Sequence, residues 1–530
     1  MKEIQLLDCT LRDGGFVNNW EFGKDCIINI ADRLSLANID IIEVGFLRNI
    51  DSYDIEKSEF RRLNDVKKVI NNNFNNSMIV AIIEYGTYDI SLIEDLKSAY
   101  PITGLRLMFR KSEIDEAMIY AKKLKDYGYK VFLQPVNIMD YSSEDRIELV
   151  KKANQLDPYA FYIVDTYGFM YPSDLIKAFY LIDANLNQDI KIGYHSHNNF
   201  QLAYANCMEL IRLQSKRDII LDVSVFGMGK GAGNANAELV ALYLNDIYNK
   251  NYNIDQILEI ADIYIEKERD KNFWGYTLLY YIAAAMRVHH MYVKYLLNKK
   301  TLSISSIKHI LSNLDEDKKT VFHKEYIQEV YHNYQSIDIN DSITTRQLQN
   351  ILKDRKILLV GLGASVNESK TDIIKFINDN NAIVISLNHM LVDFKGDFIF
   401  IGNSKRYSQL MYKLKVHDID KPCPIIATSN ISESSLKIDY YLNYADLQTK
   451  ENLDSDSSGI MLLQALINME IKEVYLAGFD GFASNQNNFY DKSYELEFKD
   501  DTKTTIFEKR LKELSECIKM NFITRTIYEI

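Results

Sequence analysis

The sequence predicts an α/β protein: a (β/α)8 TIM barrel with a helical extension, followed by a C-terminal Rossmann-like doubly wound α/β domain. Two observations predict this architecture. Short apolar, β-branched runs alternate with amphipathic helical stretches in the first half of the chain, and a second alternating series begins near residue 355. The 530 residues suffice for both parts, and 47% hydrophobic with 26% charged residues is a balance typical of globular proteins.

Eight strands are expected in the first half, each followed by a helical stretch. Parallel strands joined by right-handed crossovers close into a barrel of roughly 250 residues. The expected strands are 4–10, 39–46, 78–84, 104–109, 130–138, 160–168, 190–198 and 221–229.

Polar residues end or follow several of these strands, at the face where such a barrel carries its active site. A single residue of this kind is as often a turn or capping residue, but several coinciding positions favour a site. They are Asp13, Glu43, Asp165, His195, His197 and Asn234.

The pattern His195-Ser-His197 predicts a metal site. Residues i and i+2 of a strand face the same side, so two imidazoles can bind one cation. Asp13, at the end of the first strand, can complete the ligand set and leave positions open for substrate. An HxH pattern alone is more often structural, whereas its combination with a strand-end aspartate favours a metal.

Residues 251–340 are expected to form a helical extension of the barrel domain 1–250. Within the extension, 273–297 is nearly continuous in its helical pattern and rich in aromatic residues. It is expected to pack over the barrel mouth or in a subunit interface of a homo-oligomer. The polar segment 335–345 marks the boundary to the last domain, 345–530.

The last domain is expected to contain another parallel sheet. Gly361-Leu-Gly363-Ala-Ser365 ends its first strand and opens a helix, which suits phosphate binding by backbone N–H groups, although a tight structural turn is nearly as well supported. Val366 at the third glycine position excludes the dinucleotide fingerprint. The expected strands are 356–363, 382–388, 397–403, 424–430 and 473–480, with a further one near the C-terminus.

Five motifs of the first half also resemble a known family. They are D-C-T-L-R-D-G-G, I-E-V-G, V-D-T-Y-G, H-S-H-N-N and G-M-G-K-G-A-G-N-A, in that order. Over roughly residues 3–300 the chain is similar to the metal-dependent lyases and aldolases of the hydroxymethylglutaryl-CoA lyase-like superfamily, and within it to the 4-hydroxy-2-oxovalerate aldolases.

The resemblance implies a role for each matching residue. Asp13, His195 and His197 would ligate a divalent metal, Mn2+ or Mg2+, and Asn234 would be a further ligand or contact a ligand. Arg12 would point at the oxo oxygen of an α-keto acid and help stabilise a pyruvate enolate. The alternative for Arg12 is a surface salt bridge.

The chain departs from the resembled aldolases at the catalytic base. Those enzymes carry a histidine three residues after the motif's aspartate, where this sequence has Phe16. The proton of the substrate alcohol must therefore go to a metal-bound water, Tyr276, His289 or His290. For each of these side chains taken singly, core packing is the better-supported role. The predicted catalytic residues are Arg12, Tyr276 and His289.

Motifs of the last domain resemble the nucleotide-binding fold of bacterial CMP-sugar-dependent sialyltransferases, over about residues 355–482. The resemblance implies a site for a cytidine nucleotide or nucleotide sugar. Such transferases use a histidine near the C-terminal side as base, and no histidine follows His417 here, so ligand binding is favoured over transfer. The implied binding residues are Gly361, Gly363, Ser365, Asn388, Ser458 and Asp480.

The function expected from these features is aldol cleavage or formation between pyruvate enolate and an aldehyde that is sugar- or nucleotide-sugar-derived. Three alternatives stay open: a bifunctional aldolase and glycosyltransferase of surface-glycan synthesis, a Claisen-type acyl-CoA lyase or synthase, and a non-catalytic binding protein. The glycine-rich loop 227–233 lacks the cysteine of acyl-CoA lyases, which disfavours the second. The intact ligand set and Arg12 disfavour the third.

Composition excludes several kinds of partner. The chain has 62 Lys and Arg against 74 Asp and Glu, a formal net charge of −12, so no nucleic-acid partner is expected. No apolar run reaches the roughly 18 residues that span a membrane, and the first residues lack a signal-peptide pattern. Five scattered cysteines form no CxxC pair, which favours a cytoplasmic protein with reduced thiols.

Overall fold

The computed structural model divides the chain into two compact units, Met1–His290 and Met291–Ile530. Each unit is built around its own parallel sheet. The structure describes residues 2–70, 77–94, 100–416, 421–431, 437–448, 457–481, 488–494 and 502–530, together with Phe74, Leu96 and Asp418.

The sheet of the first unit closes into an eight-stranded parallel barrel, as the sequence predicts. Each strand pairs with its neighbours in chain order, and the last strand returns to the first, with Asp8 opposite Val223 on one side and Ile42 on the other. A two-residue strand, Glu59–Phe60, pairs with β2 outside the ring. The barrel strands are β1 (Ile4–Asp8), β2 (Ile41–Leu47), β3 (Met78–Glu84), β4 (Ile102–Phe109), β5 (Lys130–Pro135), β6 (Ala160–Asp165), β7 (Lys191–Ser196) and β8 (Ile219–Val223).

Amphipathic helices cover the barrel. Lys24–Leu36 buries Ile27, Ile30, Ala31 and Leu34, the spacing of one helix face, against the strands. The other helices of this part are Thr10–Asp13, Gly15–Asn18, Leu63–Val66, Ile114–Asp126, Ser143–Leu156, Pro172–Asn185, Ala203–Arg212, Ala237–Tyr248, Ile254–Ile260, Glu266–Lys271 and Leu278–Met286, with a π-helical segment at Ala261–Ile265. The helix His290–Asn298 begins at the last residue of this unit and otherwise belongs to the second unit.

The expected near-continuous helix over 273–297 is wrong. The helix Leu278–Met286 ends at Arg287, whose φ of 53° lies in the left-handed region. The Arg287 guanidinium lies 4.8 Å from the ring centroid of Phe169. This long-range contact accompanies the break, and no local pattern encodes it.

Among its described residues, the second unit contains seven strands, all paired in parallel. The strand order is reversed at β9, which lies between β10 and β14, and β13 is a three-residue edge strand too short to be predicted from sequence. The strands are β9 (Ile357–Val360), β10 (Ile383–Leu387), β11 (Phe398–Ile401), β12 (Ile425–Thr428), β13 (Tyr440–Leu442), β14 (Glu473–Ala477) and β15 (Lys519–Phe522).

The helices of the second unit flank this sheet or precede it. Within the described residues of the whole chain, none is long and apolar enough to cross a membrane. The helices of the second unit are Ile304–Ser312, Lys324–Gln335, Ser342–Leu352, Ser365–Glu368, Lys370–Asn380, Ser404–Val416, Tyr444–Leu447, Ser458–Asn468 and Thr502–Ser515.

Candidate metal centre and ligand cavity

Asp13, His195 and His197 meet at the carboxyl end of the barrel. The short helix Thr10–Asp13 follows β1 directly, and Asp8 fixes this turn by accepting from Thr10 N at 2.9 Å. One ligand atom from each of the three side chains lies within 4.8 Å of the other two, and all three residues are buried. The structure thus brings together the three residues expected to bind a metal.

The polar atoms around this triad fit a divalent ion. His197 Nδ1 and Asn234 Oδ1 are buried and have no hydrogen-bond partner in the described part of the chain. Asn234 Nδ2 donates to Asp13 Oδ2 at 2.8 Å, which places the amide beside the predicted ligands. Unsatisfied buried acceptors cost free energy, and nitrogen and oxygen ligands suit a transition-metal or Mg2+ ion.

The protonation states of the triad also favour metal binding. Burial lowers the pKa of His197 to about 3, which keeps its imidazole neutral at neutral pH. Burial would raise the pKa of Asp13, but the Arg12 charge and the hydrogen bond from Asn234 bring it below its ordinary value. A neutral imidazole and an ionised carboxylate are the forms that ligate metals.

Arg12 lies inside the barrel rather than on its surface, which excludes the surface salt bridge considered above. The residue is 5% exposed. Its NH1 donates to Asp13 Oδ1 at 2.6 Å and its Nε donates to Glu43 Oε2 at 2.7 Å. Arg12 NH2 has no hydrogen-bond partner among the described residues, so one donor of the guanidinium is available to a substrate.

The ion pairs continue across the barrel to His195. Glu43 Oε2 also lies 2.8 Å from Arg106 NH1, and Arg106 NH2 pairs with Asp222 Oδ2. Asp222 Oδ2 lies 2.9 Å from His195 Nδ1. We call the series Arg12, Glu43, Arg106, Asp222 the buried charge chain. Because it touches Asp13 at one end and His195 at the other, it orients two predicted metal ligands.

Arg106, Asp222 and Tyr162 were not among the residues predicted from the sequence. The Tyr162 hydroxyl donates to Asp222 Oδ1 at 3.0 Å. A signal was present: Leu-Arg-Leu at 105–107 and Leu-Asp-Val at 221–223 place an ionisable side chain inside an otherwise apolar strand. Such a residue in a barrel strand must find a partner in the interior.

Asp165 caps a turn, which was the stated alternative to a role in the active site. Its carboxylate accepts from the backbone N–H groups of Phe169 at 3.2 Å and Met170 at 3.0 Å, in the turn after β6. Burial raises its pKa to about 7 despite these bonds. Asp165 therefore stabilises a loop of the barrel mouth and is not among the three clustered ligands.

The candidate bases lie in different environments. Phe16 packs edge-on against Trp20, with ring centroids 4.8 Å apart, and supplies no proton acceptor. Tyr276 is 56% exposed. His289 is partly buried and stacked on His290, and burial together with the nearby Lys230 charge lowers its pKa to about 4.

The glycine-rich loop after β8 packs closely against the triad. A Cβ atom at Gly229 would lie 2.5 Å from Asp13 Oδ2, so a larger residue would displace a predicted ligand. The next residue, Lys230, donates its backbone N–H to Asp13 Oδ2 at 3.2 Å. The loop thus forms part of the wall of the site beside Asp13.

A second candidate site is a cavity of about 310 Å3 in the second unit. It lies at the carboxyl ends of β9, β10 and β14, where the strand order reverses, a common position for ligand sites in parallel sheets. Aromatic side chains, among them Phe479, Phe489 and Phe507, line much of it. Five of the six predicted binding residues also line it: Gly361, Gly363, Asn388, Ser458 and Asp480.

The sixth residue, Ser365, lies in a turn that bonds internally, which favours the tight structural turn that was the alternative to a phosphate site. Its backbone N–H donates to Asp480 Oδ2 at 2.8 Å, and its hydroxyl also bonds the Asp480 carboxylate. Gly361 N and Gly363 N donate to the carbonyl oxygens of Ala477 and Gly478. A carboxylate of the protein already takes the place predicted for a phosphate.

Comparisons with known proteins concern the barrel. Residues 3–263 match a family model described as HMGL-like. An oxaloacetate decarboxylase from Mycobacterium tuberculosis is 26% identical over 261 residues, 49% of this chain and 76% of that protein. A 4-hydroxy-2-oxovalerate aldolase from Pseudoalteromonas translucida is 25% identical over 269 residues, 49% of this chain and 75% of that protein.

A solved structure shares the fold. It is the N-terminal domain of a candidate aldolase from Bacteroides vulgatus, 24% identical, with a TM-score of 0.50 over 57% of this chain and 99% of that one. The HMGL-like match ends before the second unit begins.

Proposed function

We propose that the chain is a divalent-metal-dependent aldolase, from the premise that residues 3–263 match the HMGL-like family model and are similar to 4-hydroxy-2-oxovalerate aldolases. It makes or cleaves the carbon–carbon bond between pyruvate enolate and an aldehyde that is sugar- or nucleotide-sugar-derived. The observation that carries the proposal is the buried triad Asp13, His195 and His197 with the Arg12 guanidinium on Asp13.

The triad and Asn234 would hold Mn2+ or Mg2+, which when bound supplies Lewis-acid polarisation of an α-keto acid. Arg12 has the complementary task. Asp13 and Glu43 hold two edges of its guanidinium, so its free NH2 can donate to the oxygen on which enolate charge develops. A donor fixed before the reaction needs no reorganisation as that charge appears.

A proton must leave the substrate hydroxyl during cleavage, and we assign its acceptance to His289. The ring is neutral at neutral pH and lies close enough to Lys230 for that charge to affect its pKa. Tyr276 is the second candidate, but its exposure leaves its hydroxyl to compete with bulk water.

The proposal is tested with two measurements on the full chain loaded with Mn2+. Pyruvate release is screened over 4-hydroxy-2-oxo acids derived from sugar aldehydes and over nucleotide-sugar adducts. In parallel, deuterium incorporation into the methyl group of pyruvate in D2O reports enolate formation without an aldehyde. We expect both signals, and we expect a chelator to remove both. Loaded protein that neither exchanges deuterium nor releases pyruvate would contradict the aldolase assignment.

We further propose that the cavity of the second unit, in a Rossmann-like fold, binds a cytidine nucleotide or nucleotide sugar without transferring the sugar. The aromatic side chains Phe479, Phe489 and Phe507 would contact the base or sugar ring. Because Asp480 occupies the Gly361–Ser365 turn, the phosphate would lie away from that turn.

Calorimetry with CMP and with a CMP-sugar tests this second proposal. We expect micromolar-scale affinity in the full chain, on the order of −8 kcal/mol. Gly363→Ala should weaken binding at least about tenfold, because its Cβ would overlap the Asp480 carboxylate and lie 2.7 Å from the Gly478 carbonyl oxygen.

Gly396→Ala is the matched control, since a Cβ there meets no atom closer than 3.4 Å. Absence of nucleotide heat with the folded wild-type chain would contradict binding. Sugar transfer to any acceptor would contradict the non-catalytic half of the proposal.

A further inference from the structure

Lys230 places a positive charge at the mouth of the metal centre. It lies between two glycines of the loop after β8, and its backbone N–H donates to Asp13 Oδ2 at 3.2 Å. Its ammonium lies 5.4 Å from the ring centroid of Phe16, the residue at the position of the family's base. The side chain therefore extends from the triad toward Phe16.

This ammonium has no hydrogen bond or salt bridge to any residue that the structure describes, although Lys230 is partly buried. The nearby carboxylates already have partners. Asp13 pairs with Arg12 at 2.6 Å, and Glu84 pairs with Arg110 at 2.7 Å. Asp13 and Glu84 act on the ammonium only through space, and a partly buried cation without a directly bonded counter-charge is unfavourable. An anion bound beside Phe16 would therefore give the Lys230 ammonium the partner that it lacks.

We infer that Lys230 binds an anionic group, a carboxylate or a phosphate, on the aldehyde half of the substrate. The inference rests on the proposed aldolase function and names its substrate class. In that function the triad and Arg12 take the keto-acid half. Lys230 lies toward Phe16, where the family's base would meet the substrate alcohol, which becomes the aldehyde.

The exposed face of Phe16 further restricts the class of aldehyde that would fit the site. Phe16 is 40% exposed and its ring contacts both Trp20 and the Lys230 ammonium. A carbon chain can pack on this ring while its terminal anion reaches the ammonium. An aldehyde derived from a sugar acid or a sugar phosphate has both parts, whereas a short neutral aldehyde would leave Lys230 unpaired.

The test compares Lys230→Met with Lys152→Met, which removes a partly exposed lysine paired with Asp115 on the outer helices. Three 4-hydroxy-2-oxo acids of equal chain length carry a terminal carboxylate, phosphate or hydroxyl. We expect Lys230→Met to lower kcat/KM for one or both anionic substrates by about 10- to 100-fold, the effect of one charge-assisted hydrogen bond. We expect Lys230→Met to slow the neutral substrate less than the anionic substrates, and Lys230→Arg to retain part of the preference for the anionic substrates.

A binding measurement gives a readout without turnover. Calorimetry with 2-oxoglutarate and with 2-oxopentanoate compares two α-keto acids that differ in a distal carboxylate. Wild type and Lys152→Met should prefer 2-oxoglutarate, and Lys230→Met should bind both alike.

Deuterium exchange into pyruvate distinguishes a failure of the aldolase proposal from a failure of the proposed role of Lys230. Wild type that fails to exchange deuterium contradicts the aldolase proposal itself. If the wild-type chain exchanges deuterium normally and Lys230→Met keeps the wild-type substrate preference, only the role of Lys230 is overturned. A raised KM for pyruvate alone in Lys230→Met would also overturn it, because the ammonium would then bind the keto-acid half.

Discussion

Replacing His197 by alanine is expected to remove stoichiometric divalent-metal binding and, with it, activity. His197 is one of three buried side chains whose ligand atoms lie within 4.8 Å of one another, and its Nδ1 has no other hydrogen-bond partner in the described residues. We expect the wild-type chain to bind about one Mn2+, and the variant to lose at least on the order of 100-fold in affinity, the upper end for losing an outer contact of a metal site.

Metal content after dialysis and calorimetric titration measure this loss. His332→Ala, on an exposed helix position of the second unit, controls for removal of an imidazole. Asp222→Asn should show an intermediate loss of about 10- to 100-fold, since Asp222 contacts the predicted ligand His195 and is not itself one of the three clustered ligands. Stoichiometric binding by a chain lacking both His195 and His197 would contradict the site.

Arg12→Ala is expected to lower kcat by on the order of 100-fold or more, with a smaller effect on KM. The guanidinium is aimed at charge that develops only in the transition state, so its loss affects the chemical step more than binding. Pyruvate release and deuterium exchange, each fitted for kcat and KM, measure the effect.

Stability must be followed in the same experiment. Removing Arg12 leaves Asp13 and Glu43 with one fewer partner inside the barrel, and breaking a buried pair costs about 3–5 kcal/mol. Arg12→Lys keeps the positive charge but loses the planar guanidinium with its several N–H donors. This variant should therefore be more stable than Arg12→Ala, while its kcat should still be lower than that of the wild type. Arg33→Ala, on an outer helix, is the surface control. A folded Arg12→Ala chain with normal turnover would contradict the assigned role.

The barrel was predictable because each of its strands is a local apolar run followed by an amphipathic helix. The strand expected over 78–84 is observed as Met78–Glu84, and those near 104–109 and 160–168 as Ile102–Phe109 and Ala160–Asp165. The triad was predictable for the same reason: an HxH pattern and an aspartate at strand ends need only the closure of the barrel to meet.

Features that depend on pairs distant in sequence were not predictable. Arg106 and Asp222 are separated by 116 positions, and Ser365 and Asp480 by 115. The second pair decides whether the glycine turn offers its N–H groups to a phosphate, and no local pattern at Gly361–Ser365 reveals the carboxylate that occupies it. The break at Arg287 likewise accompanies a contact with Phe169, 118 positions away in the sequence.

The buried charge chain restricts how this sequence can diverge. If one member is lost, the opposite charge of its neighbour stays buried in the barrel without a partner. If two adjacent members are exchanged for neutral side chains, both charges are removed together. Arg106 with Asp222 is such a pair, and Glu43, which contacts both arginines, belongs to two. Descendants of this sequence should therefore vary at these positions in concert, and a redesign of the metal centre should exchange them as pairs.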